Sequence, residues 1–136
     1  MFDRPFAIEV ITPERTVLST QAVSVSAPGV EGGFQVLCDH AALLSGLEAG
    51  RVTVRTAEGP EQVFATSGGV LEVRDNKVLL LLESAERPAD IDVSRAEAAR
   101  DRARERLAHR TAEIDVIRAE AALRRALNRI VTARMS

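Results

Sequence analysis

The sequence has no tryptophan, no tyrosine and only four phenylalanines in 136 residues, so any core must be packed from Val, Leu, Ile and Ala. Its one cysteine, Cys38, rules out an intramolecular disulfide and suits a reducing compartment. Its one lysine, Lys77, leaves arginine to supply every other fixed positive charge. The longest apolar run is Val78 to Leu82. That is far short of the roughly 20 residues a membrane-spanning helix needs, so membrane association is expected only through a partner protein. The N-terminus, Met1-Phe2-Asp3-Arg4-Pro5, is followed by no apolar stretch, and no secretory signal is expected.

Chemical motifs are equally scarce. There is no glycine-rich GxxxxGK[ST] loop to cradle phosphates. His40 and His109 with one cysteine make no metal-ligand cluster. Ser67-Gly68-Gly69 resembles part of a nucleophile turn, but the full GxSxG pattern is missing and no helix follows. No independent catalytic activity and no metal are expected.

What is present is a soluble globular composition, 46% apolar and 28% charged, with a net charge of −2 that points to no particular partner. The helix breakers are unevenly spread. All five prolines and all eight glycines precede residue 89, and none occurs in the 48 residues from Ala89 to Ser136. Charge shifts at the same place: residues 1–88 hold seven basic and twelve acidic side chains, and residues 89–136 hold eleven arginines and eight acids. The boundary falls around Ser84 to Pro88, dividing the chain into a β domain over 1–85 and a helical domain over 86–136.

Before the boundary the apolar pattern has period two or forms short runs between turns. Phe6, Ile8 and Val10 alternate with Ala7, Glu9 and Ile11, Val23 and Val25 with Ser24 and Ser26, and Val52 and Val54 with Arg51, Thr53 and Arg55. Arg74-Asp75-Asn76-Lys77 is a hairpin signature, and Ala57-Glu58-Gly59-Pro60 a second turn. Short strands at regular spacing predict an antiparallel sandwich or flattened barrel, with Val78 to Leu82 as a central strand buried on both faces. Pro28 to Leu44 reads as a long inter-strand connection, in which Phe34 and Leu43 are candidate core residues.

After the boundary the spacing predicts two helices. The first runs from about Asp92 to Ala108, capped by Asp90, Asp92 or Ser94, with Val93, Ala96, Ala103 and Leu107 on one face. The second runs from about Glu113 to Ala133, with Val116, Ala119, Leu123, Leu127 and Ile130 as its stripe. His109-Arg110-Thr111 is the expected turn. Alanine seams let helices approach closely but bury little area, so the hairpin is expected to be weakly held. Arg95 and Arg102 share a face of the first helix, and Arg125 and Arg129 a face of the second. In a folded hairpin these guanidinium groups could converge on one anion, or they could form an ordinary solvated face.

Several short segments together carry a resemblance: Ile11-Thr12-Pro13-Glu14-Arg15, His40-Ala41 with Leu43-Leu44, Ser67-Gly68-Gly69, Glu72-Val73, Asn76-Lys77-Val78 and Ile91-Asp92-Val93-Ser94-Arg95-Ala96. In order and spacing, along essentially the whole chain, the sequence resembles the epsilon subunits of bacterial F-type ATP synthases. The resemblance implies an α+β chain: a β-sandwich of about ten strands, then an antiparallel two-helix hairpin. It implies a non-catalytic central-stalk subunit at the cytoplasmic face of the inner membrane, packed against the gamma subunit and the c-ring. It also implies a hairpin that can rise toward the alpha/beta head and inhibit ATP hydrolysis.

In some members the lowered hairpin binds regulatory ATP through the pattern I/L-D-x-x-R-A. The positions here that match that site are Glu86, Ile91, Asp92, Arg95, Ala96, Arg102, Arg125 and Arg129. For the ring-facing loop the resemblance points to Glu31, Phe34, Asp39 and His40. The loop departs from the family pattern, because Gly33 and Gln35 stand where an acidic residue and a glycine are usual. Two other readings stand beside this one: a stand-alone ATP-sensing hairpin, and an arginine-rich hairpin that binds nucleic acid. The eight acids in the same segment and its lack of aromatics speak against the second.

Overall fold

In the computed structural model residues 4–111 and 115–135 are described. The chain separates into two compact units, Met1–Glu86 and Arg87–Ser136.

The first unit holds eight strands, β1 (Phe6–Ile11), β2 (Thr16–Ala27), β3 (Phe34–Val36), β4 (Leu43–Leu47), β5 (Gly50–Thr56), β6 (Gln62–Thr66), β7 (Gly69–Arg74) and β8 (Lys77–Leu82). The expected count of about ten is thus corrected to eight among the described residues. They form one curled sheet in the order β4-β7-β8-β1-β2-β5-β6, with β3 paired to β2 off that path. All pairings are antiparallel except β1 with β8, which is parallel.

The sheet closes into a sandwich because β2 is long enough to serve two layers. Its first half pairs with β1 from Ala22 back to Thr16. Its second half pairs with β5 on the opposite edge, with a register shift between Ala22 and Ser24. β3 continues the edge that β1 leaves, through Val25–Val36 and Ala27–Phe34. Where β2 passes from one layer to the other, four consecutive residues, Ala22 to Val25, are buried. Strict alternation lapses there because both faces of the strand are enclosed.

Elsewhere alternation holds. Phe6, Ile8, Val10, Val52, Val54, Phe64, Leu71, Val73, Val78, Leu80 and Leu82 interlock as one aliphatic core with two rings in it. Each such side chain contributes about 1.5–3 kcal/mol on leaving water. The β7–β8 turn is the predicted one, with Asp75 and Asn76 both at positive φ, as a tight type I′ hairpin requires.

Two expectations need correction. Val78 to Leu82 is central by pairing, lying between β7 and β1, but only one of its faces looks into the core. Leu81 is 49% exposed, and it stands in register with Val70 on one side and Ile11 on the other, forming an apolar row on the outer surface. The Pro28–Leu44 segment is also not a plain connection, since β3 interrupts it with a strand too short to show a period.

In the second unit a single 3₁₀ turn, Pro88–Asp90, closes with the Ile91 N–H donating to the Pro88 carbonyl at 3.4 Å. It leads into α1 (Val93–Ala108), which packs against α2 (Val116–Ala133) as an antiparallel pair. Of the three candidate caps, Asp92 is the one used, and Ser94 lies exposed inside the first turn. His109, Arg110 and Thr111 lie outside both helices, and the expected start of the second helix at Glu113 falls outside the described residues.

The seam is narrower than the predicted stripes. Ala96 and Ala103 of α1 are buried, as are Ala119, Ala126 and Ile130 of α2. Val93, at 41% exposure, and Leu127, at 37%, lie at its margin. Alanines at the contact let the backbones come close, so two helices of this length depend on each other while sharing little apolar area.

Candidate functional site

Helix α1 begins at Asp92, whose side chain accepts the Arg95 N–H at 3.1 Å with backbone φ −79° and ψ 99°. Helix α2 begins at Asp115, whose side chain accepts the Arg118 N–H at 3.0 Å with φ −81° and ψ 100°. The two starts are copies. Ile91-Asp92-Val93-Ser94-Arg95-Ala96-Glu97-Ala98-Ala99 recurs 23 positions later as Ile114-Asp115-Val116-Ile117-Arg118-Ala119-Glu120-Ala121-Ala122, with eight of nine residues identical. Reading by residue type overlooks this repeat, because Ala-rich helices look alike. Comparing the chain with itself at that offset would have found it.

The repeat extends into the seam and the charge. Buried Ala96 and Ala103 correspond to buried Ala119 and Ala126. Arg95, Arg102 and Arg106 correspond to Arg118, Arg125 and Arg129. At about 100° per residue, the three arginines of α1 stand roughly a quarter turn to one side of its alanine seam. Those of α2 stand in the same relation to theirs. In an antiparallel pair this equal offset places both rows on one broad face of the hairpin. Since the chain reverses beyond His109, Arg95 is level with Arg129 at one end and Arg106 with Arg118 at the other. Arg102 and Arg125 occupy the middle.

The described carboxylates of the hairpin are sorted away from this face. Glu97 and Asp101 lie on the other side of α1, where both pair with Arg100, at 3.9 Å and 3.0 Å. Asp92 and Asp115 sit beside the arginine rows, engaged as caps. Arg95, Arg102, Arg106, Arg118 and Arg125 form no ion pair with any described residue. Cations held close together without counter-charge repel one another, and a phosphate chain relieves that repulsion while accepting paired hydrogen bonds from guanidinium forks.

Of the eight residues expected at an ATP site, seven belong to the hairpin unit. Asp92 is the cap, Arg95 and Arg102 project from α1, and Arg125 and Arg129 from α2. Ile91 is buried beneath the cap, and Ala96 is fully buried in the seam. Glu86 belongs to the other unit, where its backbone bridges Ala65.

The four residues expected in the ring-facing loop do not stay together. Glu31 is exposed at the β2–β3 connection, and Phe34 packs half-buried against the sandwich core. Asp39 and His40 lie beyond the far end of β3. There the Asp39 carboxylate pairs with Arg4 at 2.5 Å, and the Asp39 N–H donates to Asn76 Oδ1 at 2.7 Å. Asp39 thus ties the β7–β8 turn to the segment preceding β1. His40 is exposed, with Nδ1 2.7 Å from the Ala41 carbonyl oxygen. Ser67 Oγ lies 2.9 Å from Ser84 Oγ, closing the β6–β7 turn onto the end of β8. No group of His, Cys, Asp or Glu among the described residues is arranged to hold a metal.

The described chain thus combines a β-sandwich with a two-helix hairpin that carries rows of arginines on one face. Comparisons with known proteins identify its family. Residues 5–88 match the family of the ATP synthase delta/epsilon chain β-sandwich domain, and residues 89–134 its long α-helix domain. The chain is 50% identical over 100 residues to the ATP synthase epsilon chain of Moorella thermoacetica, covering 74% of this chain and 75% of that one. It is 48% identical over 108 residues to that of Pelotomaculum thermopropionicum, covering 79% and 80%. The fold is similar to a chain in the Euglena gracilis mitochondrial ATP synthase OSCP/F1/c-ring structure, with a TM-score of 0.83 at 20% identity, covering 97% of this chain and 82% of that one. The chain belongs to the epsilon subunits of F-type ATP synthases, accessory subunits that are not themselves catalytic. No helix among the described residues is long and apolar enough to cross a membrane.

Proposed function

We propose that this subunit links the gamma subunit and the c-ring in the rotor at the cytoplasmic membrane face, and that its hairpin is a nucleotide-controlled brake on ATP hydrolysis. In the folded hairpin, Arg95, Arg102, Arg125 and Arg129 hold the phosphates of ATP, while Asp92 fixes the first turn of α1. ATP binds the folded arrangement and stabilises it by mass action. When ATP is scarce the hairpin opens, extends toward the catalytic head and blocks hydrolysis.

The observation that carries this reading is the arginine face assembled from both helices, on which Arg95, Arg102 and Arg125 pair with no described carboxylate. The face exists only while α1 and α2 are docked, so its ligand reports on the hairpin's state. The alanine seam supports it too, since a switch requires two arrangements of similar free energy. For the partners, support comes from the outer row Ile11–Leu81–Val70, three apolar residues in register on the outer side of the sheet.

Titration of the isolated subunit with ATP, followed by a distance probe between α1 and α2, tests the switch. ATP should saturably shorten the mean interhelix distance. A distance that ignores ATP, with no heat of binding, would remove the reading.

A further inference from the structure

We propose that the arginine face carries a second triphosphate-binding position at the turn end of the hairpin, built from Arg118 of α2, Arg106 of α1 and the central pair Arg102 and Arg125. The proposal rests on the reading of the first position as a phosphate site and extends it through the internal repeat. Shifting each α1 residue forward by 23 positions, and each α2 residue back by 23, turns the first set into the second. Arg95 becomes Arg118, Arg129 becomes Arg106, and Arg102 and Arg125 exchange places. The seam residues Ala96 and Ala103 pass to Ala119 and Ala126, which are buried in the same way. The cap passes from Asp92 to Asp115 with backbone angles and bond lengths nearly unchanged.

Two antiparallel helices repeated in this manner are related by an approximate two-fold axis that passes between Arg102 and Arg125. Any anion cradle on one half of the face is therefore reproduced on the other. None of the four arginines of the second position pairs with a described carboxylate. The copy holds at the arginine and alanine positions and departs elsewhere: Arg100, Asp101, Arg104 and Glu105 correspond to Leu123, Arg124, Leu127 and Asn128, and Ser94 to Ile117, an exposed residue of the first turn. That position follows the cap and lies off the arginine face.

Sharing the central pair has a consequence for occupancy. Two triphosphates cannot both take Arg102 and Arg125 without bringing several negative charges together, so the positions compete. The folded hairpin then binds one triphosphate in either of two opposite registers. Loss of one register leaves the other in place.

The test uses the full chain, with ATP and inorganic tripolyphosphate as separate probes, amide chemical-shift mapping, and calorimetry. In the wild type, ATP should shift amides at both ends of the face. The double variant Arg95→Ala/Arg129→Ala should bind about tenfold more weakly but still shift amides around Arg118. Adding Arg106→Gln and Arg118→Gln should abolish the remainder. Tripolyphosphate following the same pattern assigns the second position to the phosphate chain, and a response to ATP alone assigns it to a nucleotide. If Arg95→Ala/Arg129→Ala removes all binding and Arg106→Gln/Arg118→Gln changes nothing, the second position is overturned while the first stands. If neither pair of substitutions matters, both are overturned. Helical circular dichroism of each variant separates loss of binding from loss of fold.

Discussion

Gly69 lies directly against Leu81: a β-carbon placed on Gly69 would overlap the carbonyl oxygen of Leu81 on the paired strand. Gly69 also holds φ at +156°, where side chains are rarely accommodated. Gly69→Ala should destabilise the sandwich by about 3 kcal/mol or more, read by urea unfolding. Gly32 provides the control. It has φ +124° but open space around it, so Gly32→Ala should lose only about 1 kcal/mol from backbone strain.

The paired caps predict paired losses. Asp92→Ala and Asp115→Ala each remove one side-chain bond to a helix-start N–H, at 3.1 Å and 3.0 Å. Each should lower hairpin stability by about 1 kcal/mol, and by similar amounts because the two geometries match. Thermal melting followed at a helical wavelength checks this. Asparagine at either position should restore most of the loss.

Thr132 is fully buried, and its hydroxyl has no hydrogen-bond partner among the described residues. Burying an unpartnered hydroxyl is unfavourable, and valine has nearly the same shape. Thr132→Val should therefore stabilise the hairpin by about 1 kcal/mol. A lower melting temperature would mean that the hydroxyl has a partner in solution.

Ala126 sits in the seam with almost no exposed surface. Ala126→Leu should force the helices apart, at about 1–3 kcal/mol of overpacking. On the proposed mechanism it should also weaken ATP binding, and in the assembled enzyme shift the subunit toward its inhibitory posture. The interhelix distance and the ATPase rate at low ATP are the measurements.

A chain ending after Pro88 should retain its sheet. The core residues of the sandwich all lie in the first unit. Far-ultraviolet circular dichroism of that fragment should keep its β signature and lose its helical one.

How far the fold could be read in advance depended on which physical signal a segment carried. Val52 and Val54 alternate cleanly because β5 has one face inside and one outside, and that pattern is visible in any single sequence. Asp75-Asn76 announces its turn through residues that tolerate positive φ. Val78 to Leu82 misled because five apolar residues in a row carry no period, and the outward role of Leu81 is set by neighbours on other strands. β3 escaped because three residues show no pattern at all, and its pairing with β2 is a tertiary fact.

The same holds on the helices. Leu123 and Leu127 drew attention as large apolar residues, yet the contact is made chiefly by Ala119, Ala126 and Ile130. Arg95, Arg102, Arg125 and Arg129 were legible as pairs on separate helices. That both pairs share one face with Arg106 and Arg118 follows only once the antiparallel arrangement and the repeat are known.

Because β2 is common to both layers of the sandwich, neither layer has a backbone of its own to give up. A twisting load applied at one surface is carried through continuous covalent chain to the other, rather than across a seam of side chains that could creep. The layers should yield together or not at all.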